Sequence, residues 1–472
     1  MAGTAGTGRQ VLVDQLKDIV GPSGWTSDAS DLEPHLTEWR ATWHGKTLLM
    51  VSPESTEMVA RVVRACAKSE TAIVPQGGNT GLCGGAIPDE TGKQVLLSLS
   101  RMNRIRSVSA RDYSLCAEAG CTLASIQKAA EDVGRFFPLS LAAEGSCQIG
   151  GNLSTNAGGI NVLRYGTARA LALGLEVVLA DGTVWNGLRT LRKDTAGYDL
   201  KQMFIGAEGT LGIITAASLR LYPAIRNPET VLFAVESPDA AVELLAALRV
   251  ELSDQLQAFE LIPARAVRFC LKHIPSTRFP LDQESPWFVL LETSRESTGD
   301  DFEAMLMSLH ESALITDAVI AKNRSEANDL WRLRHSISES QKREGASLKH
   351  DISIPVAEVG NFIRVAEAAV TSEVPGTRVV AFGHVGDGNI HFNLSQPKDG
   401  SAAEFLAQGR ALASLVYDIV DSFGGSISAE HGIGQAKREY LVRYRGETET
   451  GLMKAVKAAL DPKNLMNPGK VI

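Results

Sequence analysis

From about residue 47 to 222, short apolar runs rich in Val, Ile and Leu alternate with amphipathic stretches: KTLLMVS, then EMVARVVRACAKS, then TAIVPQ. Runs of that length and content read as strands and the stretch between as a helix, an α+β or α/β alternation. LGLEVVLADGTVWNG, 173 to 187, predicts a hairpin, with Asp181-Gly182 between two β-prone runs. KQVLLSLSRM reads as a strand, and GTLGIITAASLRLYP, 209 to 223, as another strand or a pair closed by Pro223. AIRNPET, 224 to 230, has the Pro/Asn content of a linker. Residues 231 to 380 alternate strand-like runs (VLFAVES, WFVLLETS) with helical ones (DAAVELLAALRVEL, EANDLWRLRHSISESQKREG), which predicts an antiparallel sheet with helices. Two amphipathic helices are expected around GGSISAEHGIGQAKREYL, before the ending DPKNLMNPGKVI. The expected division is 1–226 (joined by the tail 462–472), 227–425, and a small helical region 426–472.

Length supports that division, because 472 residues exceed what one hydrophobic core sustains. The formal net charge of -8 argues against nucleic acid or an anionic membrane as partner, since both need a basic face. An anionic substrate would need a local basic pocket. The start, MAGTAGTGRQVLVDQL, lacks the layout of a signal peptide and no run of 18 apolar residues occurs, so a cytoplasmic protein without membrane insertion is expected. The cysteines Cys66, Cys83, Cys116, Cys121, Cys147 and Cys270 form no C-x-x-C pair and read as reduced thiols, not as an iron–sulfur site.

Three glycine-rich loops fall in the first part: PQGGNTGLCGG (75 to 85), GSCQIGGNLSTNAGG (145 to 159) and GAEGTLG (206 to 212). Glycine admits positive φ and lets backbone N–H groups approach a ligand closely, as a chain wrapping a pyrophosphate requires. The first loop contains no G-x-G-x-x-G and precedes a strand, so it is not a Rossmann turn; without G-K-[ST] it is not a P-loop. Any one loop reads equally well as a tight turn. Three together point to one extended ligand.

GHVGDGNIHFN, 383 to 393, places two histidines around a Gly-Asp-Gly-Asn core. If Gly386 to Asn389 form a four-residue turn, His384 pairs with His391 on one face, near enough to share an ion, and Asn393 follows on that face. SAEHGIG, 428 to 434, offers Glu430 and His431 as further candidates. A solvated turn with two satisfied histidines is the alternative. WRLRHSISESQKREGASLKHD, 331 to 351, begins as a basic helix on which Arg334 and Ser338, at i and i+4, would share a face; alone it reads as a solvated surface.

These segments and the terminal NPGK resemble FAD-linked oxidoreductases of the vanillyl-alcohol oxidase and p-cresol methylhydroxylase superfamily, especially the D-2-hydroxyglutarate and D-lactate dehydrogenases, from about residue 45 to the end. The resemblance implies a vanillyl-alcohol-oxidase-type FAD-binding domain followed by the substrate domain. It places Pro75, Gln76, Gly77, Gly78, Asn79, Thr80, Gly81 and Leu82 along the diphosphate. It sets Glu144, Gly145, Ser146, Gly150, Gly151, Asn152, Ser154, Thr155 and Gly158 beside ribityl and ring, Ile213 and Ile214 near the adenosine, and Asn467 closing over the cofactor. Some members attach flavin through a histidine in the first loop; none stands here, so FAD is expected to be non-covalent. By the same carry-over His384, His391 and Glu430 hold a divalent metal, zinc or manganese, and His431 is the base. Arg334, Ser338 and Lys349 stand at substrate-carboxylate positions, Ser338 in place of the usual threonine. The D-lactate branch lacks a lysine where Lys349 stands, which favours a dicarboxylate.

The expected reaction is oxidation of a D-2-hydroxy acid, D-2-hydroxyglutarate above D-lactate or glycolate, to the 2-oxo acid. The metal would polarise the hydroxyl, His431 take its proton, hydride pass to flavin N5, and Asn393 help hold the near carboxylate. The electrons would leave to an external acceptor such as an electron-transfer flavoprotein. A flavin-binding subunit without turnover is the reading from another class, and a homodimer is left open.

Overall fold

A computed structural model of the chain describes residues 2–225, 228–281, 285–294 and 299–472. Arg226 and Asn227 of the expected linker lie outside the described residues. The runs that open the alternation form the strand Leu49–Val51, the helix Thr56–Lys68 and the strand Ile73–Gln76. Ser55 starts the helix by accepting the Met58 N–H at 3.2 Å, and Val59, Val62, Val63 and Cys66 turn one apolar face inward. Both strands pair in parallel with Val95–Ser98, which lies between them and is buried throughout. The strand Ile73–Gln76 thus delivers the first glycine-rich loop at its carboxyl end.

A second sheet in the same unit is antiparallel, in the order Ile105–Ser109, Ser114–Glu118, Ile213–Arg220, Ala172–Val178, Val184–Asn186. The expected hairpin forms, with Val178 opposite Val184 and Asp181 Oδ1 accepting the Thr183 N–H at 2.8 Å. The run 209–223 yields a strand and a second short one, Tyr222–Pro223, which pairs with Arg135–Phe136. By contacts the first unit holds residues 1–158, 166–224 and 430–472, and the second 159–165 and 225–429. The tail set apart at residue 426 thus divides at Glu430.

The second unit contains two antiparallel sheets. One runs Leu256–Pro263, Trp287–Thr293, Glu229–Val235, Asp317–Ile320; the other centres on Asn389–Ser395, paired with Ser347–Leu348, Asp351–Ser353 and Arg378–Phe382. Leu232, Ile262, Phe288 and Leu290 pack with Ala266 and Cys270 of the helix Ala264–His273, and with Leu333 and Ile337. The architecture is α+β, with helices on antiparallel sheets in the second unit.

Two local expectations are corrected. The strand Arg378–Phe382 ends before the histidine, so His391 faces Phe382 rather than His384. Gly383, with φ +142°, is captured by the neighbouring strand, exchanging backbone hydrogen bonds with Leu261 at 2.8 and 3.1 Å. The turn is therefore wider than four residues, and His384 comes to lie beside the residue before Leu261. The basic stretch is also two helices, Arg324–His335 and Ile337–Arg343, separated at Ser336. Ile337 enters the core while Ser338 beside it is exposed and Arg334 is buried, so no single helical face carries Arg334 and Ser338.

Candidate active site

In the first unit the three glycine-rich loops line one cavity of about 300 Å³. Pro75 through Leu82, then Gly150, Gly151, Asn152, Ser154, Thr155 and Gly158, then Ile213 and Ile214 all reach its wall. So do Glu430 and His431. Only glycine fits at two crossings: a Cβ on Gly78 would stand 2.0 Å from the Ser146 carbonyl oxygen, and one on Gly434, at φ +51°, 2.1 Å from that of Cys83.

Glu144, Gly145, Ser146 and Asn467 are not part of that lining. The Glu144 carboxylate is engaged within its own loop, by the Ser140 hydroxyl at 2.8 Å and the Leu141 N–H at 3.2 Å. Asn467 is buried and fastens loops together, donating to the carbonyls of Gly85 at 2.9 Å and Glu208 at 2.8 Å.

Glu208, unanticipated by the sequence reading, accepts the Ile433 N–H at 2.7 Å and the Gly434 N–H at 2.9 Å. It therefore clamps the loop that follows His431 and also lines the cavity. Burial pushes its carboxyl pKa up, against those two N–H donors.

The second unit carries a buried polar cluster. The His384 and His391 rings meet with centroids 5.7 Å apart at 74°. Glu260, fully buried on the strand Leu256–Pro263, binds His384 Nδ1 with one carboxylate oxygen and Arg334 Nε, at 2.6 Å, with the other. Burial alone would raise its pKa; Arg334 and His384 instead hold it down at about 2. His391 Nδ1 lies 3.8 Å from Asp351 Oδ1, which accepts a hydrogen bond from Asn389 at 2.9 Å. Asn393 is buried and donates to Gln341 at 2.9 Å. Lys349 is half-buried between two short strands of the same sheet.

Comparison with known proteins adds the family. Residues 47–187 match the description "FAD binding domain" and residues 226–471 match "FAD linked oxidases, C-terminal domain". The chain belongs to the FAD-linked oxidases. It is 39% identical over 457 residues to the mitochondrial D-2-hydroxyglutarate dehydrogenase of Danio rerio, covering 96% of this chain and 83% of that one. Against the D-2-hydroxyglutarate dehydrogenase of Xanthomonas citri pv. viticola the identity is 38%, over 94% of this chain and 93% of that one. p-Cresol methylhydroxylase shares the fold with a TM-score of 0.76 at 16% identity, covering 98% of this chain and 97% of that one.

The residues of this FAD-linked oxidase suit the groups its family implies. The cavity offers backbone and small polar side chains rather than bulk, and Gln148 Oε1 in its lining is buried without a hydrogen-bond partner, a position a ligand can satisfy. In the second unit each histidine is approached at Nδ1 by a buried carboxylate, the arrangement that orients an imidazole to ligate through Nε2. No helix among the described residues is long and apolar enough to cross a membrane. Five of the six cysteines are buried, and Cys116 is half-buried.

Proposed function

We propose that this FAD-linked oxidase converts a D-2-hydroxy acid, D-2-hydroxyglutarate in preference to others, to its 2-oxo acid. The observation that carries the reading is that Glu430 and His431 stand in the wall of the glycine-rich cavity, so a carboxylate and an imidazole face the space suited to the flavin. The names of the relatives supply the substrate class. Non-covalent FAD would supply the two-electron acceptor, and His384, His391 and Glu430 would hold a zinc or manganese ion that would supply Lewis acidity.

The chain's own residues do the rest. A His431 ring nitrogen takes the C2 hydroxyl proton, a role an imidazole can fill as general base. Asn393, held by Gln341, hydrogen-bonds the near carboxylate. Arg334 and Lys349 receive the far one. Electrons leave to an external acceptor such as an electron-transfer flavoprotein, a reading supported by the absence of any grouped cysteines in the sequence.

Anaerobic mixing of purified protein with D-2-hydroxyglutarate, D-lactate, glycolate and the L-acids tests this, by the bleaching of bound flavin. Bleaching by the D-diacid, suppressed by a chelator, is expected. Lys349→Ala should lower kcat/KM for the diacid about 10- to 100-fold, the weight of a charge-assisted hydrogen bond, and spare D-lactate. No bleaching by any hydroxy acid in metal-saturated protein overturns the reading.

A further inference from the structure

Three features of the second unit converge on one residue that neither the sequence motifs nor the family matches single out. Glu260 sits in the apolar run LQAFELIP with its side chain fully enclosed. Both carboxylate oxygens are in use, and on different partners: Oε2 accepts from Arg334 Nε at 2.6 Å, and Oε1 is bound to His384 Nδ1. The partners lie 74 and 124 residues away in sequence, one on the helix Arg324–His335 and the other in the turn after Arg378–Phe382.

The backbone fixes this meeting. The paired hydrogen bonds between Leu261 and Gly383 lock the strand against that turn, so Glu260 and His384, the next residues on each side, are held in register. Phe382 completes the frame, its ring 4.9 Å from the Arg334 guanidinium carbon and 5.0 Å from the His391 ring. A buried carboxylate so enclosed is stable only when hydrogen-bonded and charge-paired, so losing one partner disturbs the other.

We propose that Glu260 is a positioning residue that couples the metal site to the substrate site, setting His384 with Nδ1 as donor and Nε2 turned to the ion, and aiming the Arg334 guanidinium at the far carboxylate. The inference rests on the function proposed above. It extends that function in one respect: metal affinity and diacid recognition share a single carboxylate. Arg334 is held through Nε, and its Nη groups make no hydrogen bond to Glu260, which leaves the guanidinium's outer edge as the part that would meet an anion. The side chain of Glu260 need touch neither ion nor substrate.

The test is a titration of metal-stripped, FAD-loaded protein with zinc and with manganese, for the wild type, Glu260→Gln, Glu260→Asp and Arg334→Gln, with FAD content and Tm measured alongside. The expected result is a 10- to 100-fold weaker metal affinity in Glu260→Gln, as for loss of a carboxylate behind a histidine ligand, at unchanged FAD content. Glu260→Asp should restore part of it. Arg334→Gln should also weaken metal binding, although that residue is not a ligand. If Glu260→Gln fails to fold, the comparison runs on Glu260→Asp and Arg334→Gln. Folded variants that bind metal like the wild type overturn the inference and leave the proposed function standing. A wild type that binds neither ion saturably overturns the metal site, and the inference falls with it.

Discussion

In the cavity of the first unit the wall is mostly backbone and small side chains, brought by three loops each glycine-rich over a few residues. In the second unit the polar cluster is made of side chains alone, with Glu260, Arg334, Asp351 and His384 arriving from a strand, a helix, another strand and a turn. The first construction depends on the close crossings remaining glycine. The second depends on each charge meeting its partner. Glu430 and His431 are the exception in the first unit, ionisable groups set into a wall that is otherwise neutral apart from Glu208.

His431→Gln is the most severe way to break that contrast. If the cavity wall is a backbone construction, the substitution removes the proposed base and little else: kcat falls about 10²- to 10⁴-fold, the usual weight of a positioned general base, while FAD per chain stays constant. Flavin absorbance of the purified variant, read beside its turnover, checks both. Loss of FAD together with activity would show that the ionisable groups hold the cavity as well as serve it.

The same contrast explains what could be read from sequence. The glycine loops were legible because a backbone site leaves its mark locally: Gly78 lies against Ser146, and both belong to segments conspicuous on their own. The strand–helix–strand at 49–76, the hairpin at Asp181-Gly182 and the helices Gly409–Ser422 and Arg438–Leu460 either side of SAEHGIG are legible for the same reason, since period and turn chemistry are local. The histidine turn departs from its local pattern because its width is set by Leu261, about 120 residues earlier, which no local pattern reports. Glu260 itself left only a faint trace, one acid in an apolar strand. Glu208 lies inside the glycine-rich segment 206–212, but its carboxylate serves Ile433 and Gly434, so its purpose depends on a distant loop. Ser338 shows the limit of spacing arguments: i and i+4 share a face only if the helix continues, and here it breaks at Ser336.

Glu208→Gln sharpens the comparison at the point where the backbone wall relies on one charge. An amide keeps one acceptor and turns an NH2 toward the other N–H, leaving one of two buried donors without a partner, at a cost of about 1–3 kcal/mol. A Tm lower by a few degrees, and a kcat reduced far less than in His431→Gln, are expected from differential scanning fluorimetry and steady-state assays. A kcat loss as deep as that of His431→Gln would mean that the loop 430–435 has no other anchor able to hold the base, despite the Gln435 bonds to Gly84 and Ile87 at 2.9 and 3.2 Å.

The smallest effect expected is a pH dependence confined to the side-chain construction. Glu344 ties the helix Ala264–His273 to the strand Arg378–Phe382, accepting from Lys272 at 2.6 Å, His273 at 2.5 Å and from Arg378. Burial would raise its carboxyl pKa, but Lys272, His273 and Arg378 together hold it down at about 2. A carboxylate whose folded pKa lies below the unfolded value, roughly 4.3, adds stability that is complete above that value. The stability is lost as pH falls toward the folded one. The Tm gap between wild type and Glu344→Gln should therefore be constant from neutrality down to about pH 5, then close steadily as the pH falls further. A gap that stays constant or widens in acid would mean that the ionisation of Glu344 does not govern this contact.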